Sequence, residues 1–275
     1  MTKFADLHIH THYSDSTLSP QEVVEEAHRL KIACIAITDH DTIDGIGPTQ
    51  IAAKSFDIEV IPAIELSSEI QGKDVHILGY FIDCSHSLLK EELTKMQAAR
   101  VERIKKMIQK LKAQGIDNID FAQDFGDTRS YSLGRPHLAM VLKQKGWVSS
   151  ISEAFEKYLG EGCPAYVGKW KISPYEAIAL IRKSAGLAVL AHPMVTNRDE
   201  LIPGFVEAGL RGIEVYYPNY SKTTIDYYKG IAKKHKLITT GGSDAHGKAK
   251  SNTTIGKVRI PYTTVETMKE ELQKS

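Results

Sequence analysis

The chain has no stretch approaching the roughly 18 apolar residues that a membrane-spanning helix needs. It is also poor in cysteine: Cys34, Cys84 and Cys163 are the only three in 275 residues. Their number is odd and no pair has Cys-X-X-Cys spacing, which argues against a disulfide framework and a thiolate zinc site. Cys34 sits in the apolar run Ala33-Cys34-Ile35-Ala36-Ile37 and reads as a small core residue. Charge of one sign is lacking too: 35 basic and 34 acidic residues leave a net charge of +1. That balance gives no basis for a broad nucleic-acid or membrane footprint, while a small basic pocket for one phosphate stays compatible with it. The opening Met1-Thr2-Lys3-Phe4-Ala5-Asp6 does not read as a signal peptide, and none is expected. A reducing, cytoplasmic setting is expected.

What is present is an ordinary globular composition, 42% hydrophobic and 25% charged. The length suits one large domain, or one domain carrying a smaller one. Short apolar runs predict strands over 4–9, 33–38, 59–64, 75–80, 187–191, 212–216 and 237–240. Helical spacing predicts helices over 20–30, 45–55, 174–185, 199–208, 223–235 and 265–274. Ser19-Pro20 and Ser173-Pro174 supply a capping serine followed by a first-turn proline. The alternation predicts an α/β fold with mostly parallel strands. From about 85 to 165 the rhythm breaks. One long charged helix over 88–114 and shorter ones over 133–145 and 151–159 predict a helical insertion, with 1–84 and 166–275 forming the barrel; the alternative is that these helices elaborate a barrel loop.

Histidine placement carries the chemistry. Of eleven histidines, several follow a predicted strand: His8 and His10, His40, His192 and His246. Glu65 ends the 59–64 run and His76 lies in the next strand. Strand C-termini in parallel α/β architectures converge on one rim, so residues distant in sequence meet there. Imidazole and carboxylate suit zinc, manganese or iron. In His8-Ile9-His10 both rings share a face, because alternate strand residues do. Donors this numerous exceed the needs of one ion, and a glutamate can bridge two.

These residues resemble the PHP (polymerase and histidinol phosphatase) family. The resemblance rests on Asp6-Leu7-His8-Ile9-His10-Thr11-His12 with Ser14-Asp15, and on Ile37-Thr38-Asp39-His40-Asp41. It continues through Ile64-Glu65, His76, Ala191-His192-Pro193 and Gly242-Ser243-Asp244-Ala245-His246. It implies a distorted (β/α)7 PHP barrel with a trinuclear metal site. The first ion would take His8, His10, Glu65 and Asp244. The second would take the other Glu65 oxygen, His76 and His192, and the third Asp15, His40 and His246. Asp15 departs from members that carry histidine there and resembles the stand-alone phosphoesterase branch. Within that branch the chain is similar to phosphatases of 5′-nucleoside monophosphates or 3′,5′-bisphosphates, and to 5′→3′ exonucleases on short RNA. Gly134-Arg135-Pro136-His137 and Gly162-Cys163-Pro164-Ala165-Tyr166-Val167 resemble that branch's insertion, expected to cover the substrate. Lys169 replaces a proline common after the Tyr-Val pair.

The expected reaction is hydrolysis of a small nucleotide's phosphomonoester by a hydroxide bridging two metals. Glu65 is the bridge. Arg135 is the candidate phosphate fork, His137 a further donor and Tyr166 a base-stacking ring. The alternatives are the exonuclease, a histidinol-phosphate phosphatase, an amidohydrolase-type metal enzyme, or a non-catalytic PHP module that binds metal structurally. His12, Asp39 and Asp41 can orient ligands or merely shape loops. His28, His86 and His235 are expected to be exposed. Lys248 and Lys250 can attract phosphate, though a solvated loop is the simpler expectation. No membrane partner is expected, and the sequence is silent on oligomeric state.

Overall fold

The computed structural model describes residues 3–127, 131–168, 172–250 and 253–274. Lys169 lies outside the described residues. In chain order the first elements are β1 (Phe4–Ile9), α1 (Pro20–Arg29), β2 (Cys34–Ile37), α2 (Ile46–Ala53), β3 (Glu59–Ile70) and β4 (Lys73–Tyr80). There follow α3 (Ser87–Lys112), α4 (Phe121–Phe125), α5 (Arg135–Gln144) and α6 (Ile151–Ala154), the last continued by a π-helical turn over Phe155–Leu159. The remainder is α7 (Pro174–Lys183), β5 (Leu187–Leu190), α8 (Pro193–Thr196), α9 (Ile202–Ala208), β6 (Gly212–Tyr216), α10 (Lys222–His235), β7 (Ile238–Gly241), β8 (Ile260–Pro261) and α11 (Thr263–Leu272). Two compact units result: Met1–Glu91 with Lys171–Ser275, and Glu92–Trp170.

The first unit is the expected distorted α/β barrel. Its sheet runs β7-β6-β5-β4-β3-β2-β1-β8. The ring nearly closes where Ala245, just past β7, bridges Ile9 and accepts the His10 N–H at 3.0 Å. Strands β1 to β3 are parallel, as are β5 to β7. Strand β4 is antiparallel to both neighbours, and the short β8 is antiparallel to β1. The expectation of a mostly parallel sheet therefore needs correcting at β4. The cause is local: β3 runs on to Ile70 and turns at once through Gln71 and Gly72, both at positive φ, into a tight hairpin.

Alternation along each strand fills the barrel interior. Ala36 of β2, Ile61 and Ala63 of β3, Leu78 and Tyr80 of β4, and Val189 of β5 form one apolar cluster. Burying a side chain such as Leu78 contributes about 1.5–3 kcal/mol. Tyr80 reaches across the interior, its hydroxyl donating to the Leu7 carbonyl at 2.9 Å. Helices α1 and α7 start on reciprocal capping boxes, Ser19 with Glu22 and Ser173 with Glu176. The second unit has its own core, including Ile104, Met107, Leu111, Leu138, Leu142 and Leu159. Among the described residues, no helix is long and apolar enough to cross a membrane.

Candidate metal centre

Each expected donor of the barrel arrives by a simple device. Ala5 and Leu7 belong to the interior cluster, yet His8 and His10 also face the centre. The register of β1 against β2 shifts between Asp6 and Ile9, where this change of face occurs. His40 follows β2 and forms a parallel bridge with Glu65. Glu65 lies in mid-strand because β3 continues beyond it. His76 lies in the first half of β4, and the antiparallel direction of that strand returns it to the rim where β3 passes Glu65. His192 follows β5, and Asp244 and His246 follow β7. Three residues here hold positive φ without being glycine: Asp41 at 53°, His192 at 26° and Asp244 at 47°. Such conformations cost about 1–3 kcal/mol each and persist where surroundings over-determine them.

The donor atoms crowd together. His8 Nε2 lies 3.1 Å from His10 Nε2 and 3.2 Å from Glu65 Oε2. Asp244 Oδ1 is 3.4 Å from His8 Nε2 and 3.2 Å from His10 Nε2. Tetrahedral ligands on a metal with bonds of about 2.0–2.1 Å stand about 3.3–3.4 Å apart. The spacing of this quartet fits that geometry. Glu65 Oε1 faces away from it, 2.8 Å from His76 Nδ1 and 3.0 Å from His192 Nε2. Asp15 Oδ1 lies 3.2 Å from His246 Nε2, and Asp15 Oδ2 lies 3.9 Å from His40 Nε2. His40 also approaches Glu65 through Nδ1 at 3.3 Å, so it belongs to a grouping with Glu65 and His76 as well as to the one with His10, Asp15 and His246. Asp15 Oδ1, His40 Nδ1, His76 Nε2 and His192 Nδ1 are buried atoms without a hydrogen bond. Buried polar atoms left this way are costly, and a cation among the donors would satisfy Asp15 Oδ1, beside His246, and His40 Nδ1, beside Glu65. The residues fit divalent metal.

Electrostatics agree with a site made for positive charge. Burial disfavours ionised Asp15, Glu65 and Asp244, yet the imidazoles around them outweigh it and hold all three well below the usual carboxylate range. Burial likewise opposes charge on His8, but Glu214, Glu65 and Asp244 hold it well above the histidine range. His10 is raised to about 9 against burial by Asp244 and Glu65. His40 goes the other way, pushed well down by burial.

Around the donors stand residues of several origins. Asp39 shapes the first loop, accepting from Thr11 N–H at 2.7 Å and from the hydroxyls of Thr11 and Ser14 at 2.6 Å. Asp41 accepts the Ser67 N–H at 2.7 Å and so braces β3. His12 is exposed beside Tyr13. Two further residues escaped sequence reasoning. Glu214 of β6 is fully buried against His8 and His192. Tyr217 donates to Asp244 Oδ2 at 2.6 Å. A charge in the middle of Gly212-Ile213-Glu214-Val215-Tyr216 was the signal for the first. Nothing in the sequence marks the second. Lys248 and Lys250 are both exposed, in keeping with the solvated-loop expectation, and Lys250 also pairs with Asp244 Oδ2. His28 is exposed as expected, but His86 and His235 are part-buried.

The candidate substrate residues Arg135, His137 and Tyr166 belong to the second unit. Arg135 opens α5, donates to the Leu159 carbonyl at 3.2 Å, and lies over the Phe155 ring at 5.3 Å and the Tyr166 ring at 5.7 Å. His137 accepts the Gly134 N–H on Nδ1 at 3.0 Å, which in the neutral ring leaves the proton on Nε2.

A family model for the PHP domain matches residues 6–227. The chain belongs to the PHP domain family. It is 36% identical over 253 residues to a 5′-3′ exoribonuclease of Haemophilus influenzae, covering 90% of this chain and 91% of that protein. It is 33% identical to a 3′,5′-nucleoside bisphosphate phosphatase of Chromobacterium violaceum, covering 91% and 90% of the two chains. A solved structure from Bifidobacterium adolescentis, provisionally assigned as a metal-dependent phosphoesterase, superposes with a TM-score of 0.88 at 28% identity. That match covers 96% of this chain and 94% of the other.

This PHP protein is a metal-dependent phosphoesterase. The relatives it matches over nearly their whole length are named for the cleavage of phosphoesters, and its barrel carries clustered His, Asp and Glu donors able to hold metal.

Proposed function

We propose that this PHP protein hydrolyses the phosphomonoester of a small nucleotide, a 5′-nucleoside monophosphate or a 3′,5′-bisphosphate. The observation that carries the reading is Glu65. Its Oε2 faces the His8, His10 and Asp244 set, and its Oε1 faces His76 and His192, so one carboxylate serves two adjoining donor sets. The proposed ligands are His8, His10, Glu65 and Asp244 for one ion, Glu65, His76 and His192 for the second, and Asp15, His40 and His246 for the third. Imidazole and carboxylate donors suit manganese, zinc or iron. Bound there, divalent ions supply the positive charge that phosphoester hydrolysis needs and lower the pKa of an attacking water. The protein's own part is to hold those donors in place and to grip the substrate. Arg135 is assigned the phosphate, since a guanidinium fork matches two phosphate oxygens. His137 is assigned a donor role through Nε2, and Tyr166 a stacking role on the base. We place the enzyme in the cytoplasm, a setting in keeping with its three free cysteines.

The 5′→3′ exonuclease on short RNA is the second reading, favoured by the 36% identical exoribonuclease. A phosphate-release screen with Mn²⁺ over nucleoside monophosphates, bisphosphates, histidinol phosphate and short oligoribonucleotides separates the two. The highest kcat/KM is expected on a small nucleotide, reduced at least about tenfold by Arg135→Ala. Stepwise release of mononucleotides from RNA with a higher kcat/KM selects the exonuclease instead. Absence of turnover on every substrate by the metal-loaded protein overturns both.

A further inference from the structure

We propose that Glu214 is a positioning residue that clamps His8 and His192 together, so that their Nε2 atoms meet Glu65 from its two sides. The proposal rests on the metal-centre reading above. Glu214 is the only charged residue of β6 and is 0% exposed. A carboxylate in that position needs strong partners, and it has two. Its Oε1 accepts from His8 Nδ1 at 2.9 Å, and its Oε2 accepts the His192 backbone N–H at 2.8 Å. Glu214 belongs to none of the candidate donor groups, so it acts through other residues.

Each bond settles a separate question. An imidazole can present either nitrogen to a cation, and the partner of the other nitrogen decides which. With the Nδ1–H of His8 committed to Glu214, Nε2 is the nitrogen left to face a cation beside Glu65, His10 and Asp244. His246 settles the same question within its own loop, donating from Nδ1 to the Asp244 carbonyl at 2.8 Å. His8 has no such local acceptor and relies on a carboxylate 206 residues away. At His192 the problem is the backbone, which sits at φ 26° and ψ 62°. The bond from its N–H to Glu214 holds the chain in that disfavoured conformation, and the ring is thereby aimed so that Nε2 lies 3.0 Å from Glu65 Oε1. The two rings stack with centroids 5.9 Å apart. One carboxylate thus registers the first donor set against the second. Its negative charge also makes His8 a stronger donor.

The test variant is Glu214→Gln, which keeps the volume but turns an NH₂ group toward one of the two N–H donors. Mn²⁺ affinity is measured by competition with a chelating dye, beside the melting temperature in EDTA and kcat and KM for a nucleotide. Mn²⁺ binding about 10–100-fold weaker is expected. The EDTA melting temperature and KM should stay near wild type, and kcat should recover as Mn²⁺ is raised. Glu214→Asp keeps the charge and should fall between the two, so the proposal stays testable if the glutamine variant fails to fold. Wild-type Mn²⁺ affinity in these variants overturns the proposal, as does a loss of melting temperature with unchanged affinity. A wild-type protein that binds no Mn²⁺ overturns the metal-centre reading itself, and is recognisable as such before any variant is compared.

Discussion

Gly242 shows how little room the centre leaves. A Cβ at this position would stand 2.3 Å from the His8 backbone nitrogen and 2.4 Å from the His8 Cβ. Backbone on the far side cannot give way as a flexible side chain would, so an added methyl must push His8 off Glu65. Gly242→Ala is expected to lower kcat/KM on the best substrate by at least about tenfold, because displacements near 1 Å at a reacting centre cost about a hundredfold. Steady-state kinetics at saturating Mn²⁺ check this. An alanine variant with wild-type kcat/KM would mean that His8 need not be held where the structure puts it. The strained backbones of His192 and Asp244 fit the same picture, since both are held by neighbours rather than by local preference.

At the scale of elements, the helices around the barrel are stabilised by chemistry that is local in sequence. Helix α7 starts where Ser173 accepts the Glu176 N–H at 3.2 Å and Glu176 accepts the Ser173 N–H at 2.7 Å. Its apolar face, with Ala177, Ile178 and Ile181, is buried. Ser173→Ala removes the cap and leaves that face intact. It should cost about 1 kcal/mol, seen as a melting temperature lower by about 2–4 °C with unchanged kcat/KM. No shift in the melt would show that water satisfies the helix start equally well. The β3–β4 hairpin obeys a different logic. Its turn is local, but its consequence is the reversed strand that carries His76.

For the whole molecule, the proposed metal centre joins residues of β1, β3 and β4 and of the segments after β1, β2, β5 and β7. Three carboxylates and six imidazoles pack there, six of them buried and Asp15, His40 and His76 part-buried. Chelation leaves these groups facing one another without a counter-charge. An ion present at a hundred times its Kd contributes about 2.7 kcal/mol, so EDTA should lower the barrel's melting temperature by roughly 5–10 °C. Restored Mn²⁺ should reverse the shift. The unit of residues 92–170 has its own apolar core and none of these donors. Its unfolding, followed at Trp147, should not respond to EDTA. A barrel transition indifferent to both EDTA and Mn²⁺ would contradict a metal centre of this composition.

The sequence alone determined most of the elements and named the candidate donors. Strands β1 and β6 begin and end where alternation predicts, and α1 and α7 begin at their Ser-Pro signals. The donors were visible because histidine and acidic residues at strand ends are chemically conspicuous. Tertiary structure decided what depends on partners remote in sequence. The antiparallel course of β4 follows from β3 running past Glu65, which the 59–64 apolar run does not announce. Asp39 proved a loop brace, although its place beside His40 suited an orienting role equally. Glu214 reads as an ordinary strand residue until the barrel closes and brings His8 and His192 to its two oxygens. Local propensity and spacing are encoded within a few residues, whereas a buried carboxylate's purpose exists only once distant strands have met around it.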